Sequence, residues 1–361
     1  MISLKMKNMN RYVKRLLLFP VVILVLQGLC FMKKVFGFIY CIVFQRTTPI
    51  VVRTPDENFK DLASTGYPFK PNYVELPIGG GKTLPRVHYL DEGPKDAKEV
   101  MLCLHGEPSW SFLYRHMIPV LVQAGYRVIA PDFIGFGKSD KYVDMENYSH
   151  NMHTMTLRLF LDHINIKGIT LVCQDWGGLV GLSVVKDNPN VFSRLVIMNT
   201  GLPSGIGFSN KSVEKLAKFT PFLLWRTFAE LFGTSLPVYS LFKVVLLKPE
   251  PGVLEGYAAP FPSSVFKSGA AKWPLLVPLT SHDSVAADMK ATRDYLASEW
   301  RKPALVMFSD KDPITRGQDQ NFMGLLPHAV SKTIVGAGHF LQEDKGEELA
   351  CHIVSFVDGK L

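Results

Sequence analysis

Along most of the chain, short runs of apolar residues alternate with longer stretches in which apolar positions recur every three or four residues. The short runs, at 87–90, 100–104, 127–131, 169–174, 195–198, 304–308 and 332–335, are rich in β-branched residues and mostly apolar on both parities. A strand with one wet face alternates apolar with polar, whereas one covered on both faces does not. These runs therefore predict strands sandwiched between two layers. The stretches at 110–124, 151–163 and 179–187 carry helical periodicity. Strands alternating with helices predict an α/β fold with a mainly parallel sheet and right-handed crossovers.

The rhythm breaks between 203 and 300, where aromatics, prolines and helical periodicity replace the strand signal. This stretch reads as a helical cap inserted into a core made of 56–202 and 301–361. No internal repeat or low-complexity tract interrupts it.

The N-terminus follows another pattern. Residues 16–32 are an uncharged apolar run, followed by Lys33 and Lys34 and a second run at 35–44. A membrane-spanning helix needs roughly 20 apolar residues, and Pro20 and Gly28 weaken a soluble helix more than a membrane one. No small-residue cleavage site follows, and the run is too aliphatic for an amphipathic transit peptide. Residues 1–55 are thus expected to be a basic segment with a single-pass membrane anchor at about 16–44. Five basic residues precede the first run and three follow it within the next fifteen residues, a bias toward a cytosolic N-terminus and a lumenal body. Two glycosylation triplets, at 147–149 and 210–212, suit that orientation.

Charge is informative only once mapped. Of the 361 residues, 40 are Lys or Arg, and nine of these precede Asp56, the first acidic residue; the remaining 31 face 32 Asp and Glu. The formal charge of +8 belongs to the N-terminus, and no basic face for nucleic acid is visible in the body. Five cysteines form neither a disulfide framework nor a metal-ligand spacing. Cys103 and Cys173 fall inside strand-like runs, where Cys acts as a small buried hydrophobe, and Cys30 and Cys41 fall in the anchor. The 47% apolar content supplies a large core.

Ligands of open parallel sheets collect at the carboxyl ends of strands, and four such ends carry chemistry. The run 169–174 leads into Asp175-Trp176-Gly177-Gly178, a strand–sharp turn–helix context of the nucleophile-elbow kind, with Asp in place of Ser. Downstream, 304–308 leads to Asp310 and Asp312, and 332–335 leads to His339. The order nucleophile, acid, histidine is that of α/β-hydrolases. The run 100–104 leads to His105-Gly106-Glu107, where that fold places half of an oxyanion hole. Gly-Lys-Ser at 137–139 suggests a phosphate loop, but that motif requires Gly at 132 and Asp stands there.

With these residues on the page a resemblance becomes specific. HGEPSWSFLYR at 105–115, PDFIGFGKSDK at 131–141, QDWGG at 174–178 and AGHFLQE at 337–343 resemble the haloalkane dehalogenases, in particular the subfamily with Glu after the HG dipeptide. The resemblance covers about 72–361 and implies an α/β-hydrolase fold whose eight-stranded sheet carries the cap after its sixth strand. It implies no cofactor and no metal. The partners would be a small apolar halogenated substrate, water and a halide ion. Asp175 would displace halide from sp³ carbon, a task that suits an already ionised carboxylate. His339 would activate water against the resulting ester and Asp312, the acid directly before Pro313, would orient it. The backbone N–H groups of Glu107 and Trp176 would form the oxyanion hole, and the Glu107 side chain would help place the water. The indoles of Trp176 and Trp225 would donate to the halide, with Trp273 as the other cap candidate; Trp110 and Trp300 read as scaffold.

Two other readings share these residues. An epoxide hydrolase uses the same triad but needs acidic O–H donors, for which Tyr239 and Tyr257 are candidates. A membrane-anchored binding protein could keep the fold without the activity.

Overall fold

The computed structural model describes residues 49–205 and 212–361. The expected anchor at 16–44, with Cys30 and Cys41, and the triplet at 210–212 fall outside or at the edge of these residues. Among the described residues, no helix is long and apolar enough to cross a membrane.

The central sheet has eight strands: β1 (Asn72–Val74), β2 (Val87–Glu92), β3 (Val100–Leu104), β4 (Arg127–Pro131), β5 (Ile169–Gln174), β6 (Phe192–Met198), β7 (Ala304–Ser309) and β8 (Val330–Ile334). Their spatial order is β8-β7-β6-β5-β3-β4-β2-β1. From β4 to β8 every neighbouring pair is parallel, and β2 and β1 complete the other edge antiparallel. All residues of β3 and β5 are buried, as expected of strands covered on both faces. The carboxyl ends of β3, β5, β7 and β8 therefore open on one rim. β1 escaped the sequence pattern because three half-buried edge residues carry no periodicity.

Among the described residues ten α-helices accompany the sheet: α1 (Met117–Gln123), α2 (His150–Ile164), α3 (Trp176–Asp187), α4 (Ser212–Phe232), α5 (Val238–Val245), α6 (Val253–Ala258), α7 (Ser268–Leu276), α8 (Ala286–Ser298), α9 (Gln318–Leu325) and α10 (Leu341–Val357). The helix expected over 110–124 is instead a 3-10 turn, Ser111–Tyr114, followed by α1. Phe112, Leu113 and Tyr114 are all fully buried, and the Tyr114 hydroxyl donates to the Leu104 carbonyl at 2.8 Å, so the turn is tied to the end of β3. α2 begins where the Ser149 hydroxyl accepts the Met152 N–H and ends at Asn165 in the left-handed region. Within the insertion after β6, α4 packs on α7 and α5 on α6, whereas α8 lies against α3 and α9. Cys103 and Cys173 are buried free thiols, and burial raises the pKa of both.

Candidate active site

The fully buried strand β5 delivers the chain to Asp175 at φ 50° and ψ −123°, a backbone conformation that a non-glycine residue adopts only under constraint. The constraint is visible. The Asp175 N–H donates to the Asn199 carbonyl at 3.0 Å, and the Asp175 carbonyl accepts the Thr200 hydroxyl at 2.7 Å. Close approach then dictates two glycines. A Cβ on Gly177 would stand 2.1 Å from the Leu104 carbonyl oxygen, and one on Gly106 would stand 2.4 Å from the Asp175 Cβ.

Three side chains from different strand ends meet here. His339 Nδ1 lies 3.0 Å from Asp312 Oδ2, and His339 Nε2 lies 3.6 Å from Asp175 Oδ2. Asp312 is buried and also accepts the Ile314 N–H at 2.7 Å and the Thr315 hydroxyl. Burial pushes its pKa up, but the His339 charge and these hydrogen bonds outweigh that and hold it below the usual carboxylate range. For His339, burial favours the neutral ring, yet the Asp312 and Asp175 carboxylates outweigh it and raise the pKa to about 10. Asp310 is not part of this group: it is exposed and accepts the Gly336 N–H at 2.8 Å.

The Glu107 backbone N–H donates to Asp175 Oδ1 at 2.8 Å. Trp176 opens α3, so its backbone N–H is among the first-turn amides that lack an intrahelical acceptor. The Glu107 side chain is buried with Oε1 unpartnered, and burial, reinforced by the Asp175 charge, pushes its pKa well up. The loop carrying Glu107 is pinned by Asp132, whose Oδ1 accepts the Ser111 N–H and whose Oδ2 meets His88 Nδ1, both at 2.7 Å. The phosphate-loop look-alike is thus a buried structural hub.

Asp175, Trp176, Glu107, Trp225 and His339 share the wall of one cavity of about 1280 Å³. Trp225 comes from α4 and lies near Glu107, opposing in small part the rise in that carboxyl's pKa. Trp273 does not reach this space. It is fully buried, stacks on Trp176 with ring centroids 5.0 Å apart, and donates its indole N–H to His153 Nε2 at 2.6 Å. Trp273, the other cap candidate, thus has its indole N–H engaged inside the core. Trp110 and Trp300 are buried scaffold. Tyr257 is buried and donates to Glu343 at 2.7 Å, while Tyr239 is exposed and faces Glu255. Neither tyrosine lines the cavity.

Sequence reasoning missed Asn199, whose side-chain amide donates to the Gly338 and His339 carbonyls at 3.0 Å each, and Thr315 beside Asp312. It also gave no role to Gln174, whose amide nitrogen lies 3.3 Å from His339 Nε2 and donates to the His339 carbonyl. The only available signal was their position next to strand ends that carry chemistry. No group of His, Cys, Asp and Glu able to hold a metal ion occurs among the described residues.

Comparison with known proteins agrees with this geometry. The profile of the alpha/beta hydrolase fold family matches residues 99–346. A haloalkane dehalogenase of Psychrobacter cryohalolentis is 41% identical over 85% of this chain and 98% of its own length. One of Mycobacterium marinum is 40% identical over 85% of this chain and 99% of its own. Among solved structures, the haloalkane dehalogenase of Paraglaciecola agarilytica superposes with a TM-score of 0.75 at 34% identity, covering 84% of this chain and 97% of that one. An aspartate elbow, its histidine and acid, and this similarity over nearly the full length of its relatives lead to one conclusion: the chain belongs to the haloalkane dehalogenases of the α/β-hydrolase fold.

Proposed function

We propose that this protein hydrolyses carbon–halogen bonds, converting haloalkanes to alcohol and halide through a covalent ester on Asp175. The observation that carries the reading is the unequal surroundings of the two Asp175 oxygens. Oδ1 accepts the Glu107 N–H at 2.8 Å, while Oδ2 is 3.6 Å from His339, too far for a strong hydrogen bond. Oδ2 is the free nucleophile. It bonds to the halogen-bearing carbon, and the carbon–halogen electron pair leaves with the halide, which Trp176 and Trp225 receive as N–H donors. Water then attacks the ester carbon as His339 takes its proton, and the charge that develops on Oδ1 falls to the Glu107 and Trp176 amides. Collapse expels the alkoxide, which recovers a proton from His339 and leaves as alcohol. The buried Glu107 side chain, its Oε1 without a protein partner, orients the water.

Electrostatics order the two steps. Before alkylation His339 faces two carboxylates, which favour its protonated form; the ester removes one of those charges, so the ring gives its proton to solvent as the halide departs and is free as the base for ester hydrolysis. Epoxide opening would need an O–H donor at the departing oxygen, and neither candidate tyrosine is at the cavity. Feeding 1-bromobutane to His339→Phe and weighing the intact protein tests the reading. A butyl adduct on Asp175 with about one bromide per chain is expected; no adduct and no bromide from the folded wild type would overturn it.

The N-terminal anchor at 16–44 is proposed on its sequence alone: two apolar runs bridged by Lys33 and Lys34. The full-length chain should sediment with membranes and resist alkaline carbonate extraction. Recovery in the carbonate supernatant would refute it.

A further inference from the structure

The cavity is larger than a short haloalkane requires. Ligand pockets commonly hold about 300–1,000 Å³, and this one holds about 1280 Å³. Its walls differ along their length. Around the nucleophile they are aromatic and aliphatic, with Trp176, Leu179, Phe222 and Trp225, whereas α8 and α9 contribute Arg293, Gln318 and Asn321. A small cleft continues from that side between the same three polar residues and Leu202, Phe322 and Leu325.

Arg293 stands apart from its neighbours on α8. Asp288 pairs with Lys186 at 3.4 Å, and Lys290 pairs with Asp294 at 2.6 Å. Arg293 is half-buried and has neither an ion pair nor a hydrogen bond among the described residues. Asn321 donates to Gln318 Oε1 at 2.9 Å, which fixes that amide and leaves its N–H₂ group to face a ligand. Of the other charged residues on this part of the wall, Arg316 is exposed and Asp319 half-buried, of opposite sign, and Asp310 is engaged with the Gly336 N–H. A guanidinium is planar, always ionised and matched to a carboxylate fork. Holding one partly desolvated and unpaired is costly unless a ligand supplies the anion.

We propose that Arg293 and Gln318 form a subsite for the carboxylate tail of an elongated substrate, a halogenated alkanoate whose halogen-bearing end reaches Asp175. The proposal rests on the dehalogenase reading and narrows its substrate class. The apolar stretch between the two ends takes the methylene chain. The carboxylate receives N–H donors only and undergoes no chemistry.

The test compares ω-bromoalkanoates with 1-bromoalkanes of equal chain length on the solubilised full-length enzyme. The ratio of their kcat/KM values should fall roughly 10–100-fold in Arg293→Gln, the size of a lost charge-assisted hydrogen bond, and Arg293→Lys should recover part of it. An equal change for both substrate series, or none, would overturn the subsite. A readout free of variants and of dehalogenation is binding of unhalogenated octanoate, followed by tryptophan fluorescence. Octanoate should bind more tightly than 1-octanol, and added salt should erode the preference. Equal affinity for the two would also overturn it. Bromide release from 1-bromobutane, measured alongside, separates failure of this subsite from failure of the dehalogenase reading.

Discussion

Arg115 and Glu343, 228 residues apart, form a bidentate ion pair with both N···O distances at 2.6 Å, and both side chains are buried. The pair joins the turn after the Glu107 loop to the helix after the His339 loop, and so ties the two loops together. Tyr257 adds a third hydrogen bond to the same carboxylate. Removing one partner leaves the other charge buried and alone. Glu343→Gln is expected to cost about 3–5 kcal/mol of stability, read as a lower urea midpoint.

In the proposed mechanism Asp312 orients His339 and stabilises its charged form, but has no part in forming the ester. Asp312→Asn should therefore keep the first burst of bromide, while turnover drops about 10²–10⁴-fold. Rapid-quench kinetics separate the two; loss of the burst in a folded variant would contradict the assigned role.

The His339 environment makes a pH prediction. Folding raises its pKa from 6.5 to about 10, so the stability it contributes is full below about 6.5 and is lost as pH rises toward 10. Between about pH 7 and pH 10 the wild type should lose more Tm than His339→Gln. Burst amplitude should stay level over that range, because halide displacement by Asp175 does not need the neutral ring. Parallel thermal melts and stopped-flow halide release would check both.

The cap tryptophans should separate by phenotype. Trp225→Phe removes a donor at the cavity and is expected to weaken bromide binding about tenfold with little change in Tm. Trp273→Phe leaves the buried His153 Nε2 without its hydrogen bond and should cost about 1–3 kcal/mol of stability. Bromide quenching of fluorescence and thermal melts would expose a reversed pattern.

The sequence alone determined the strand-and-helix alternation, the insertion that breaks it between two strands, and the succession Asp175, acid, His339 at strand ends. These were legible because burial on two faces, sharp turns and strand-end chemistry are written within a few neighbouring residues. Tertiary structure decided between acids and between indoles. Asp310 and Asp312 are two residues apart, yet only one faces Nδ1 of His339. Trp225 and Trp273 both lie in the insertion, yet only one reaches the cavity and the other is fastened to His153. The tyrosines that kept an epoxide reading open proved to be engaged elsewhere, and Arg115 gave no sign of its partner in Glu343. Periodicity reports which face of an element is apolar. Which two side chains meet is fixed by how elements distant in sequence pack, and no local pattern carries that distance.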